Sequence, residues 1–133
     1  MIKLFIGAKG SGKTKTLIEL VNSAASTSKG SVVCIEKGDK LIHDVTYKAR
    51  LIDTDDYAIY DAEALYGFIS GILASNSDIT DVFVDGTLKI CANDADSLGA
   101  VLPMIEAIAQ DVNVVMTASI AVDECPESVK KYA

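Results

Sequence analysis

The stretch Ile2-Lys3-Leu4-Phe5-Ile6-Gly7-Ala8-Lys9-Gly10-Ser11-Gly12-Lys13-Thr14 decides how this chain reads. Ile2–Ile6 is a short apolar run, as a buried strand requires, and Gly7 breaks it. From Lys13 to about Ala25, Leu17, Ile18, Leu20 and Val21 fall at helical spacing. Between strand and helix, Gly7–Thr14 fits the spacing GxxxxGK followed by Ser or Thr. Glycines let such a loop curl so that successive backbone N–H groups point inward at phosphate oxygens. The helix that begins there adds the positive end of its dipole. On this reading Gly7, Ala8, Lys9, Gly10, Ser11, Gly12, Lys13, Thr14 and Lys15 form a phosphate site. Lys13 reaches the β- and γ-phosphates, and the Thr14 hydroxyl ligates Mg²⁺. A plain glycine turn does not explain why Lys and Thr open the helix.

Outward from this stretch, apolar runs alternate with helical patterns. Val32–Ile35 reads as a second buried strand closed by Glu36-Lys37-Gly38. Between Asp39 and Tyr60, Val45, Tyr47, Ala49 and Leu51 alternate with polar residues, which predicts a strand with one wet face. Asp61 is placed to cap a helix carrying Leu65, Ile69, Ile72 and Leu73 on one side. Val82–Val84 is a third buried strand, ending at Asp85-Gly86. After a loop to about Asn93, a helical stretch runs to Gln110, with a kink or restart expected at Pro103. Val112–Met116 is a fourth buried strand with a polar tip, Thr117-Ala118-Ser119. A short helix is expected over Pro126–Tyr132. The alternation predicts an α/β domain with a mostly parallel sheet, whose ligands bind beyond the carboxyl ends of the strands. A phosphate loop that uses Mg²⁺ needs a second acid at the end of a buried strand. Asp85 meets that need, whereas Asp81 starts the same strand and lies at the wrong end.

Length and charge narrow the function classes. At 133 residues the chain is expected to form one domain spanning 1–133. The net charge of −7 disfavours nucleic acid and anionic membrane as partners. Lys9, Lys13 and Lys15 make the loop a local basic exception, suited to a triphosphate. Among 12 basic residues Arg50 is the single arginine, which weighs against kinases that clamp two substrates with several guanidinium groups. The dispersed Cys34, Cys91 and Cys125, with no secretory leader, predict reduced thiols and a cytoplasmic protein. No apolar run is long enough to span a membrane.

On its glycine-lysine loop and element order the chain resembles a minimal member of the P-loop NTPase superfamily, in its RecA-like division. The resemblance implies a three-layer α/β/α sandwich, ATP and Mg²⁺ as ligands, and Asp85 as the Walker B aspartate. In that division the last core strand commonly lies between the loop strand and the Walker B strand, and its polar tip senses the γ-phosphate. Thr117 or Ser119 matches that tip here, although a hydroxyl closing a strand end accounts for it equally. Many relatives place a catalytic Glu directly after the Walker B Asp, where this chain has Gly86. Others carry it at the end of the second strand, where Glu36 stands. The implied catalytic set is therefore Lys13, Glu36 and Asp85, with Thr14 and Asp85 at the metal. Arg50 reads either as a finger toward a neighbouring subunit or as an ion pair with Asp53, Asp55 or Asp56. Tyr47, Tyr57, Tyr60 and Tyr66 read either as an adenine stack or as a core edge. Slow ATP hydrolysis is the leading expectation. A nucleotide switch acting on a protein partner or a second copy, without turnover, is the alternative, and phosphoryl transfer to a small molecule follows.

Overall fold

The computed structural model describes residues 1–133. Five strands, β1 (Ile2–Gly7), β2 (Ser31–Glu36), β3 (Arg50–Asp53), β4 (Ile79–Val84) and β5 (Asn113–Ser119), form one sheet in the order β1-β5-β4-β2-β3. Every pairing in it is parallel. All five strands therefore end on the same side, and β5 separates β1 from β4. Helices α1 (Lys13–Thr27), α2 (Ala62–Ser75), α3 (Thr87–Ile90), α4 (Ala95–Ile108) and α5 (Glu127–Lys130) complete the sandwich.

Alternation along the strands divides the interior in two. Leu4, Val33, Ile35, Val82, Val84 and Met116 join α2 and α4 in a core of 24 buried residues. Val32, Cys34 and Phe83 point the other way, into a cluster of 8 with Leu17 and Val21 of α1. Each fully buried aliphatic side chain contributes about 1.5–3 kcal/mol, so the larger cluster carries most of the stability. Asp61 caps α2 as its sequence position predicts, accepting from the Ala64 N–H at 2.7 Å. Such a cap is worth about 1 kcal/mol.

Three expectations are corrected. The alternating segment before Leu51 is not a strand: β3 is confined to Arg50–Asp53, and residues 39–49 fold as consecutive turns. Val45 and Ala49 are buried because the turns bring them under α1 beside Leu41, while Tyr47 between them is 91% exposed. The helix containing Pro103 does not restart there; α4 runs through it to Ile108. The loop after Asp85 holds α3, a single turn of helix too short to show periodicity.

β1 lies at one edge of the sheet, where the Leu4 N–H donates outward to the Tyr132 carbonyl at 3.0 Å. β3, the other edge, is four residues long. All three cysteines are free thiols. No helix is long and apolar enough to cross a membrane.

Candidate functional site

The carboxyl ends of β1, β5, β4 and β2 open into one cleft of about 450 Å³. The Gly7–Thr14 loop forms its first wall. Gly12 precedes α1 with φ +89°, a left-handed conformation that any side chain makes costly, so the start of α1 depends on glycine there. The Lys13 ammonium folds over the loop, donating to the Ala8 carbonyl at 2.9 Å and to the Ser11 hydroxyl at 3.2 Å. Partial burial lowers its pKa, opposed by the nearby Asp85 charge. Lys9, Gly10, Gly12, Lys13, Thr14 and Lys15 line the cleft, whereas Gly7, Ala8 and Ser11 form the loop behind them.

Asp85 follows β4 and meets the loop directly. The Thr14 hydroxyl lies 3.1 Å from Asp85 Oδ1 and 3.3 Å from Oδ2. The Thr117 hydroxyl, 2% exposed at the tip of β5, donates to Asp85 Oδ1 at 2.7 Å and accepts from the Gly86 N–H at 2.9 Å. Both of those bonds fix Asp85 and its turn, so Thr117 acts on the aspartate it holds. The residues fit Mg²⁺: one hydroxyl and one carboxylate are hard oxygen donors, and Mg²⁺ usually takes only one or two carboxylates, completing its shell with phosphates and water. No group of three or more His, Cys, Asp or Glu in the molecule forms a self-sufficient metal cage. Gly86 has φ +63°, so a catalytic Glu directly after Asp85 would be strained in this turn.

Glu36 ends β2 and is 3% exposed, yet it borders the cleft. Its Oε2 accepts from the Leu41 N–H at 3.1 Å. Burial raises its pKa, the Asp85 and Asp53 charges add to the rise, and the backbone N–H groups of Leu41 and Lys40 oppose it. Beneath it the buried Cys34 thiol is pushed up to about 12, first by burial and then by Glu36 and Asp85, so it stays protonated and unreactive.

The remaining candidates lie elsewhere. Arg50 starts β3 opposite Val33, upstream of the strand ends, and makes no ion pair. The one ion pair in the molecule joins Lys37 to Asp55 at 2.6 Å. Tyr57 sits against Phe68, Tyr60 lies 5.6 Å from the Lys37 ammonium, and no tyrosine lines the cleft. Lys37, Lys40, Leu41 and Lys89 do line it, although no motif marks them in the sequence. Their signal was positional: Lys37 and Lys40 follow the second strand and Lys89 follows the third, all at ends where ligands bind.

No protein-family model matches the chain, and no curated protein matches it in sequence. Its backbone does match a solved one. The crystal structure of the flagellar accessory protein FlaH from Methanocaldococcus jannaschii superposes with a TM-score of 0.60 at 17% sequence identity. The fold is RecA-like. The match covers 98% of this chain and 65% of FlaH, so the chain spans just under two thirds of that protein's length. Within this chain β5 lies between the loop strand β1 and the aspartate strand β4, the order that the sequence resemblance implies.

Proposed function

We propose that this chain binds ATP with Mg²⁺ in the cleft and hydrolyses it slowly. One observation carries the reading. Thr14 and Asp85, 71 residues apart in sequence, meet at 3.1 Å beside a lysine-bearing glycine loop. That is the arrangement a metal-bound triphosphate needs. Mg²⁺, when bound, supplies charge neutralisation at phosphate oxygens. Lys13 and the loop N–H groups stabilise the charge that develops on the γ-phosphoryl. Glu36 borders the cleft with its carboxylate held by the backbone of the following turn, and on this reading that carboxylate orients the attacking water. Its raised pKa makes it a stronger proton acceptor than an ordinary carboxylate.

A second reading is a nucleotide-dependent switch without significant turnover. The hold of Glu36 on Leu41 favours it, because that bond links the cleft to the 37–49 turns. No arginine lines the cleft, so a protein partner or a second copy completing the site belongs to either reading. The free thiols support a reducing, cytoplasmic setting.

Thermal shift and phosphate release, for wild type and Lys13→Ala, test the proposal. At a nucleotide concentration about 100 times Kd, binding adds about 2.7 kcal/mol, a Tm rise of several degrees. Lys13→Ala is expected to lose that rise. If no nucleoside triphosphate with Mg²⁺ stabilises the wild type, the reading fails. Stabilisation without release transfers it to the switch.

A further inference from the structure

The cleft carries more positive charge than its phosphate loop uses. Six lysines line it, Lys9, Lys13, Lys15, Lys37, Lys40 and Lys89, against two carboxylates, Glu36 and Asp85. This concentration sits in a chain whose net charge is −7. Three of the six lie away from the loop. Lys37 and Lys40 follow β2, and Lys89 is on α3 after β4. In the strand order, the end of β2 is three steps from β1, roughly 14 Å at the usual interstrand spacing. The Thr14–Asp85 contact marks the metal corner between the two groups.

The turn bearing Lys37 and Lys40 is held from both sides. Asp53 Oδ1 accepts from the Gly38 N–H at 2.8 Å, and Glu36 Oε2 accepts from the Leu41 N–H at 3.1 Å. Lys37 is further fixed by Asp55 and lies near the Tyr60 ring. Lys40 and Lys89 have no carboxylate within ion-pair distance. Lys40 and Lys89 thus bring two unpaired ammonium groups to the lining of one cleft, a charge that matches one dianion.

We propose that the β2–β4 end of the cleft is a second anion subsite, taking a phosphate dianion or the phosphate group of a small phosphomonoester alongside the nucleotide. Lys40 and Lys89 are its binding residues, and Lys37 shapes its rim. The inference rests on the nucleotide reading above, since the subsite is defined by what lies beyond the γ-phosphate.

Inorganic phosphate is the probe, titrated calorimetrically with Mg²⁺ into two complexes of the full chain, one saturated with ADP and one with a non-hydrolysable ATP analogue. The subsite predicts phosphate binding to both, because the γ-position is filled in the second. The Lys40→Ala/Lys89→Ala double variant is expected to weaken phosphate binding by about tenfold or more while nucleotide affinity stays within about threefold. Phosphate that binds only the ADP complex is occupying the γ-position, and the proposal fails. A parallel loss of nucleotide and phosphate affinity in the double variant also overturns it, by assigning both lysines to the triphosphate. Nucleotide binding with no phosphate response removes the subsite alone. Absence of nucleotide binding removes the subsite together with the proposed function.

Discussion

The two faces of the sheet are built to different standards. Toward α2 and α4 lie 24 buried residues in a continuous core. Toward α1 lie 8, and three of those, Leu41, Val45 and Ala49, come from the turns that stand in for a second helix. The thin face is the one next to the chemistry: α1 begins with Lys13 and Thr14, and the turns begin one residue beyond Glu36. Segments that open locally come from regions with few apolar contacts. The molecule therefore separates what keeps it folded from what lets the cleft adjust.

Truncating the thick face is the strongest test of that division. Leu102→Ala is expected to cost about 2–5 kcal/mol in denaturant unfolding, with nucleotide affinity of the folded fraction unchanged. A loss of affinity there would mean that the two faces are coupled. Leu41→Ala on the thin face is expected to cost less, about 2 kcal/mol, because the turns relax around the gap. Hydrogen exchange should accelerate across residues 37–49 and phosphate release should fall, since the Leu41 N–H holds Glu36. Thr117→Val removes the bonds to Asp85 and Gly86 at a cost of about 1–3 kcal/mol. More Mg²⁺ should then be needed for half-maximal stabilisation by nucleotide.

The smallest effect concerns pH. Folding raises the Glu36 pKa above its ordinary 4.5, so the fold prefers the protonated carboxyl. Ionised Glu36 therefore costs stability as pH rises past that ordinary value, and the whole cost is present above the raised pKa. Glu36→Gln keeps an acceptor for Leu41 and removes the charge. Its Tm relative to wild type should be higher at neutral pH, with the advantage fading as pH falls toward 4.5 and absent below it. An advantage that is constant with pH would show that Glu36 is not the group responsible.

Legibility in the sequence followed the physics of each segment. The four buried strands and the first two major helices repeat one apolar period over several turns or pleats, and their placement was recoverable. The glycine loop was legible because its chemistry is local. The 39–49 segment misled because a run of turns buried Val45 and Ala49 while exposing Tyr47, a pattern that imitates strand alternation. α3 has four residues, too few for any period. Arg50 was expected either to pair with an aspartate or to act as a finger; Asp55 pairs with Lys37 instead, since parallel register brings the ends of β2 and β3 together. The contact of Thr117 with Asp85 depends on β5 lying beside β4, which is a property of strand order and not of spacing.

The sheet's two borders bear on how copies of this protein can meet. An open strand edge invites another chain to extend the sheet, the usual beginning of uncontrolled aggregation. The strand that carries the glycine loop has such a border, and the carbonyl of Tyr132 accepts from its Leu4 N–H. The opposite border is kept harmless by brevity, with only Arg50–Asp53 to offer. Extension of the sheet by a second copy is thus opposed at Leu4 on one margin and limited to four residues on the other.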